Sequence, residues 1–427
     1  PGRREEIETH VANCAECGAT FDFYAVAEKD LGDLAVWRPI IGSTAAAMRA
    51  YAYQCVVEDA EADELLREYF EKPRKASLLN IRNQRKFHRG GVARRLIAKA
   101  RDLYANNALD ALIFADLAEV VADVLPDDLY PNNAVYDLRG TARIQRANAL
   151  VRLAEFDEAL EALQQAEEAY GHLRSSGRGL AAVELVRAVV YYERGELQKA
   201  SEHVACAERG FAHLSLDRER MKAVWLRGEI AYEALDYVGA ANIFLEVIEF
   251  GKNTNDAGWI ARGSFCLAAC ELERGNLGEA VALFHNALMI FRETGPVEYR
   301  IETEWGLARV ALYGGKTSDA VRGFRDAIAA FEETGRVANV ALAGIDLSEA
   351  LLVLGRWEEI AKVAGHAFRV LKKAGHLTGA LTALAYLQEA AAKRQVTPGT
   401  LQVVREYLRR VEREPDLRFV APPNIPR

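Results

Sequence analysis

Six short turns recur along this chain at an almost fixed spacing: "AEFDEAL", "GELQKAS", "LDYVGAA", "GNLGEAV", "GKTSDAV" and "GRWEEIA". Their sixth residues are Ala159, Ala200, Ala240, Ala280, Ala320 and Ile360, spaced by 41, 40, 40, 40 and 40 residues. A period kept over such a length constrains the fold more than any other feature of the chain. It calls for one unit repeated, each copy burying its apolar face against its neighbours.

Other positions keep the same register. Twelve residues before each anchor stand Ala147, Ala188, Gly228, Ala268, Ala308 and Ser348, all small. Four after it come Leu163, Val204, Phe244, Phe284, Phe324 and Ala364, and seven after it Ala166, Ala207, Val247, Ala287, Ala327 and Ala367. Small residues let helix backbones approach, and bulky ones fill the space between successive pairs. Gly195, Gly275, Gly315 and Gly355 sit five before the anchor, where a helix is expected to stop with positive φ.

The pattern resembles the tetratricopeptide repeat, a helix-turn-helix unit with small residues at these offsets, over roughly residues 139–373. The resemblance implies an all-α fold, a right-handed α-solenoid. Its period is forty residues where the family has about thirty-four, which calls for longer helices or longer turns. A weaker early pair extends the array back to Gly91, and a final pair beginning near Leu377, with Thr397 and Pro398 placed to open a helix, carries it to about residue 415. Residues 416–427 are rich in proline and are expected as a loose tail. Such arrays seldom carry catalysis, and no enzyme is expected. In the family, the first helix of each unit lines a groove that receives a protein or peptide. That placement puts Asn148, Arg152, Tyr192, Trp225, Glu229, Tyr232, Arg262, Phe265, Trp305 and Arg309 on or near the groove. Two readings stay open for Trp225 and Trp305: groove anchors, or plugs of the core between repeats.

The N-terminal stretch "ETHVANCAEC" asks a separate question. Zinc takes four tetrahedral ligands from thiolate and imidazole. His10 and Cys14, four apart, project from one face of a helical turn, and Cys17 follows where the backbone leaves it. The stretch resembles the zinc-containing anti-sigma domain, whose signature is His-x3-Cys-x2-Cys, and residues 1–45 are expected as a partial version of it. Family members take a fourth ligand from an upstream helix. Only nine residues precede His10 and none is Cys or His, so the expected place for that ligand is before Pro1. Three readings remain: zinc held by His10, Cys14 and Cys17; a metal-free helical domain of the same kind; and a redox pair of Cys14 with Cys17.

Residues 46–90 read as a helical connector, acidic and then basic. From Lys72 to Arg101 there are eleven cations and no acid, which leaves −19 on the rest of a chain whose formal charge is −8. Arg82, Arg85, Lys86, Arg89, Arg94 and Arg95 are candidates for contact with an acidic partner or a phosphate. The alternative is a solvated helix face balanced by the acidic run "EDAEADELLREYFE" just before it. Nucleic acid is not expected as a partner, because the stretch lacks interleaved aromatics and the chain is acidic overall. Gly90 and Gly91 read as a joint between the connector and the repeats.

"YGGKTSD" ends like a phosphate-binding loop, but Val310 stands where that loop needs its first glycine, and the stretch falls on a repeat turn. His203 with Cys206, and Cys266 with Cys270, read as packing residues of repeat helices. No run of eighteen apolar residues occurs, and the first ten residues are rich in charge, so neither a membrane span nor a secretory signal is expected. Six cysteines in 427 residues point to free thiols and a cytoplasmic setting. Together these features suggest an anti-sigma-factor-like transcription regulator, with a sigma factor at the N-terminal domain and a second protein or peptide on the solenoid. The competing class is a non-catalytic scaffold or adaptor acting through the solenoid alone.

Overall fold

The computed structural model describes residues 38–71, 77–104, 107–126, 129–173, 176–374, 378–411 and 417–421. Among them are eighteen α-helices, one 3-10 turn and no strand. The chain begins with α1 (Arg38–Glu71) and the short α2 (Ser77–Asn83), then α3 (Gly90–Leu103) and α4 (Ala108–Asp123). Next come α5 (Asn132–Arg152), α6 (Phe156–Gly171), α7 (Gly177–Glu193), α8 (Leu197–His213), α9 (Asp217–Glu233) and α10 (Tyr237–Asn253). They are followed by α11 (Ala257–Glu273), α12 (Leu277–Thr294), α13 (Val297–Tyr313) and α14 (Thr317–Glu333). The last four are α15 (Val337–Val353), α16 (Trp357–Lys373), α17 (Thr378–Ala392) and α18 (Pro398–Val411). Two compact units are present, residues 1–183 and 184–427, divided within α7.

The forty-residue period comes from long helices, not long turns. Helices from α7 to α16 are 17 residues long, apart from α12 with 18. Three-residue links fill the rest, with two residues, Gly295 and Pro296, after the longer α12. At the turn inside each pair one residue is left-handed: Ala154 (φ 59°), Gly195 (74°), Leu235 (63°), Gly275 (81°), Gly315 (76°) and Gly355 (67°). The four glycines were legible; Ala154 and Leu235 adopt the same conformation at about 1 kcal/mol each. The return is two paired carbonyls per helix end, as where Gly195 N donates to Tyr192 O and Glu196 N to Tyr191 O, both at 2.9 Å. The turns between pairs do likewise at Ser215, Asn255 and Gly335. Gly295 departs, with φ −89° and ψ 161°. Pro296 follows it and excludes a helical ψ at the residue before.

All six anchors are fully buried. The small column is small because the bulky column fills it. A Cβ on Gly228 would lie 2.6 Å from the Phe244 ring; outside that column, Gly306 is likewise confined, its Cβ position 2.6 Å from Phe284.

In the first unit α1 packs on α3. Gly90 and Gly91, expected as a joint, open α3 at a point of close approach: a Cβ on Gly91 would stand 2.4 Å from the Glu58 carbonyl carbon. Glu58 accepts from Gly91 N at 3.0 Å, Tyr130 Oη at 2.7 Å and Gln54 Nε2 at 2.8 Å. Tyr130 Oη in turn takes the Gly90 N–H at 3.0 Å. The first N–H groups of α3, which no helical carbonyl can serve, are thus met from distant elements.

At the end of the second unit α18 breaks the alternation. It packs on α17 and also returns to α15. Thr397 caps it as expected, accepting from Thr400 N at 3.1 Å. Part of the expected loose tail is held: Phe419 meets the Tyr407 ring at 5.1 Å, and Tyr407 Oη donates to Leu417 O at 2.9 Å.

Candidate functional site

The first helices of the pairs in the second unit are α7, α9, α11, α13 and α15. Counted from the anchors, positions −15, −11 and −8 fall on one stripe, because residues four and seven apart share a helix face. The −15 column from α7 to α15 reads Leu185, Trp225, Phe265, Trp305, Ile345, and the −11 column reads Val189, Glu229, Ala269, Arg309, Glu349. One stripe therefore carries an aromatic rail beside a charged one.

Two polar clusters stand on this face. In the larger, Arg309 Nη2 donates to Glu273 Oε1 at 2.8 Å, and Tyr232 Oη reaches the same oxygen at 3.3 Å. Trp305 Nε1 donates to Asp346 Oδ2 at 2.9 Å, and Arg309 Nε lies 3.8 Å from that oxygen. From α18, Arg405 spans Asp346 at 2.9 Å and Glu349 at 2.5 Å. Burial works against the charge of Arg309, but Asp346 and Glu273 more than offset it and hold its pKa raised. Tyr232 is also raised, first by burial and then by Glu273, while the charges of Arg309 and Arg409 act against this.

The smaller cluster joins α9, α11 and α13. Cys266 Sγ donates to Glu229 Oε1 at 3.2 Å. Trp225 Nε1 is buried and meets no oxygen or nitrogen acceptor; the group beside it is the Cys266 thiol. Glu229 is half-buried, with its carboxyl set among protein atoms. Burial pushes its carboxyl up to about 7, with Glu233 and Glu302 adding to the rise and the thiol opposing it. Glu302 is raised by burial, and its partner Arg336, at 2.8 Å, works against this. Burial also raises the Cys266 thiol well above its ordinary value.

The candidates from sequence are distributed as follows. Trp225, Glu229, Tyr232, Phe265, Trp305 and Arg309 come together on this face. Trp225 and Trp305 are half-buried, one edge in the core and one on the stripe; Trp305 sets its edge on Phe331 at 5.6 Å. Arg262 lies 5.0 Å over the Trp259 ring, and Tyr192 is half-buried on α7. Asn148 and Arg152 belong to the first unit, where Arg152 lies 5.9 Å over Tyr104. Glu273, Asp346 and Arg405 were not singled out from the sequence, and Cys266, read there as a packing residue, is buried and also donates to Glu229. Asp346 and Cys266 had a readable signal, since the −14 column otherwise holds Gln145, Val186, Leu226 and Gly306. Arg405 had none, because its role depends on α18 folding back.

Of the basic candidates, Arg89 pairs with Glu61, Arg94 with Asp59 at 2.8 Å, and Arg95 with Asp63 at 2.7 Å. These three are engaged by the chain's own acidic helix. Arg82, Arg85 and Lys86 are exposed, with Lys86 Nζ 4.8 Å over Phe87. His10, Cys14 and Cys17 lie outside the described residues. Among the described residues no three His, Cys, Asp or Glu side chains are placed to hold a metal ion. His203 turns to Glu184 at 2.7 Å, and Cys206, expected as packing, is exposed. An open pocket of about 550 Å³ lies between α16 and α17, lined by Trp357, Lys362, Arg369 and Arg394 among others. It contains none of the stripe residues, and its cations are exposed side chains.

No protein-family model matches the sequence, and no curated protein matches it. Solved structures do. Aspartyl phosphate phosphatase F from Bacillus subtilis is similar with TM-score 0.53 and 13% identity, over 86% of this chain and 92% of that one. A Rap protein complexed with competence and sporulation factor gives 0.47 and 15%, over 83% and 98%. A tetratricopeptide repeat protein from Parabacteroides merdae gives 0.45 and 19%, over 70% and 98%. The fold is of the tetratricopeptide-repeat type. At these identities the likeness speaks for the fold alone. No helix among the described residues is long and apolar enough to cross a membrane.

Proposed function

We propose that this protein is a non-catalytic regulator whose second unit binds a peptide or protein segment along the first-helix stripe. The observation that carries this is the stripe itself: half-buried aromatics beside charged groups along successive first helices. Aromatic and arginine side chains fixed by neighbours lose little freedom on binding, which is why such groups anchor interfaces. Trp305 and Arg309 are fixed in this way by Asp346 and Glu273.

The finer part of the reading concerns the N-terminus. Residues 1–45 act as an anti-sigma-factor-like domain, with His10, Cys14 and Cys17 as three zinc ligands and a sigma factor as partner. The support is the sequence motif. The scaffold reading differs in needing no N-terminal partner.

One experiment addresses both parts. Hydrogen exchange is followed on the full chain with a randomised peptide pool, and co-purification is scored with and without residues 1–37. Peptide-dependent protection on α9, α11 and α13 is expected; its absence overturns the stripe reading. A sigma factor retained only by the full chain supports the anti-sigma reading. A main partner retained equally by both forms leaves the scaffold.

A further inference from the structure

Most acids on this face of the second unit hold a cation. Arg309 serves Glu273 and Asp346, Arg405 serves Asp346 and Glu349, and Arg336 serves Glu302. Glu229 has no such partner. No arginine or lysine of the described residues pairs with it, and its one hydrogen bond comes from a thiol, a weak donor. The other groups acting on it, Glu233 from its own helix and Glu302 from α13, are acids. Tyr299 of α13 is also close enough to feel its charge, and offers no positive charge in return. A carboxylate crowded by protein and lacking a counter-charge is costly. Trp225, one turn earlier on α9, is the second incomplete group, with its indole N–H short of an acceptor.

We propose that Glu229 is the receptor for a cationic side chain, arginine or lysine, of a peptide lying along this stripe. This rests on the reading of the stripe as a peptide-binding face. Charge complementarity identifies the occupant: Glu273, Asp346, Glu349 and Glu302 each hold a cation, and Glu229 holds none. Trp225, four residues back on the same helix face, supplies an aromatic wall, and aromatic faces attract cations. Truncating one side of a buried charged pair is among the costliest changes at an interface, so the cation governs which peptides bind.

The test uses pentapeptide pools blocked at both termini, with a central arginine, citrulline or glutamate and randomised flanks, in fluorescence anisotropy titrations. Citrulline keeps the shape of arginine without its charge. Wild type is expected to bind the arginine pool at least tenfold more tightly than the citrulline pool. In E229Q that preference disappears. Binding of the arginine pool to wild type should also weaken about tenfold from pH 8 to pH 6, because only the ionised carboxyl is competent; in E229Q it should not. Equal binding of the arginine and citrulline pools to wild type, or an arginine preference surviving in E229Q, overturns the inference and leaves the peptide-binding face standing. If none of the three pools binds wild type, the face is not a peptide site and the inference falls with it.

Discussion

Glu58 in the first unit and Glu229 in the second are both glutamates set among packed helices, and they are served very differently. Glu58 receives a phenol, a backbone N–H and an amide, and Arg94 stands 3.5 Å away. Glu229 receives one thiol. Around Glu58 the Gly91 N–H and Arg94 tie α1 to α3, and Tyr130 and Gln54 complete the shell. Around Glu229 the chain stops short of completing the arrangement. A satisfied buried carboxylate works as a fastener, whereas an unsatisfied one is a cost that a ligand can remove.

The comparison breaks most readily at Gly91. Gly91→Val puts a branched side chain where even a Cβ meets the Glu58 backbone, and should destabilise the first unit by about 3 kcal/mol or more. Urea unfolding followed by hydrogen exchange in α1 and α3 measures this. A near-native melt would mean that α1 does not fasten there. In the second unit, Trp305→Ala should cost about 3 kcal/mol in thermal or urea melts, since the indole packs partly on the core. Trp305→Phe should cost about 1 kcal/mol, the share of its bond to Asp346. An unchanged melt for the alanine variant would make Trp305 a free anchor.

The third test concerns sign. Glu229 titrates near 7 when folded against an ordinary 4.5. A raised folded pKa means its stabilising contribution is complete below pH 4.5 and is lost as pH rises through 7. The swing should be about 2 kcal/mol, allowing for partial solvent access. It should vanish in Glu229→Gln, and a wild-type profile flat from pH 4.5 to 8 would contradict the unserved carboxylate. The smallest effect is expected for Arg95→Gln. Its bond to Asp63 is largely exposed, so the loss should be about 0.5 kcal/mol or less and should shrink further in salt. A larger loss would show that the α1–α3 contact relies on its surface pairs.

The repeat was legible because packing leaves a periodic trace. A small residue at 228 and a phenylalanine at 244 follow from one steric fact, and that fact recurs every forty residues. The length of the helices was not legible: Leu235 and Ala154 take left-handed turns without glycine, so only four of the six stops were marked. On the binding face, sequence located Trp305 and Arg309 because they are large and lie on the expected helix. It did not locate their fixing partners, since Glu273 and Asp346 lie about one repeat away on another helix. For the basic run, the acidic stretch before it was legible as its balance, and that alternative holds for Arg89, Arg94 and Arg95; which acid each one meets followed only from the packing of α1 on α3. Whether a charge is spent or spare depends on contacts distant in the chain.

The equal helices have a metric consequence. A 17-residue helix and a three-residue link, repeated, place equivalent side chains at even intervals across the face of the first helices. Neighbouring first helices stand about one helix diameter, roughly 10 Å, apart. An extended strand advances about 3.3 Å per residue. A ligand crossing the helices would therefore meet a new copy of each column after about three of its own residues. Contacts two repeats apart would call for residues about six apart, and a one-residue insertion between them would put the second contact out of phase. The face then acts as a gauge of spacing as well as of chemistry.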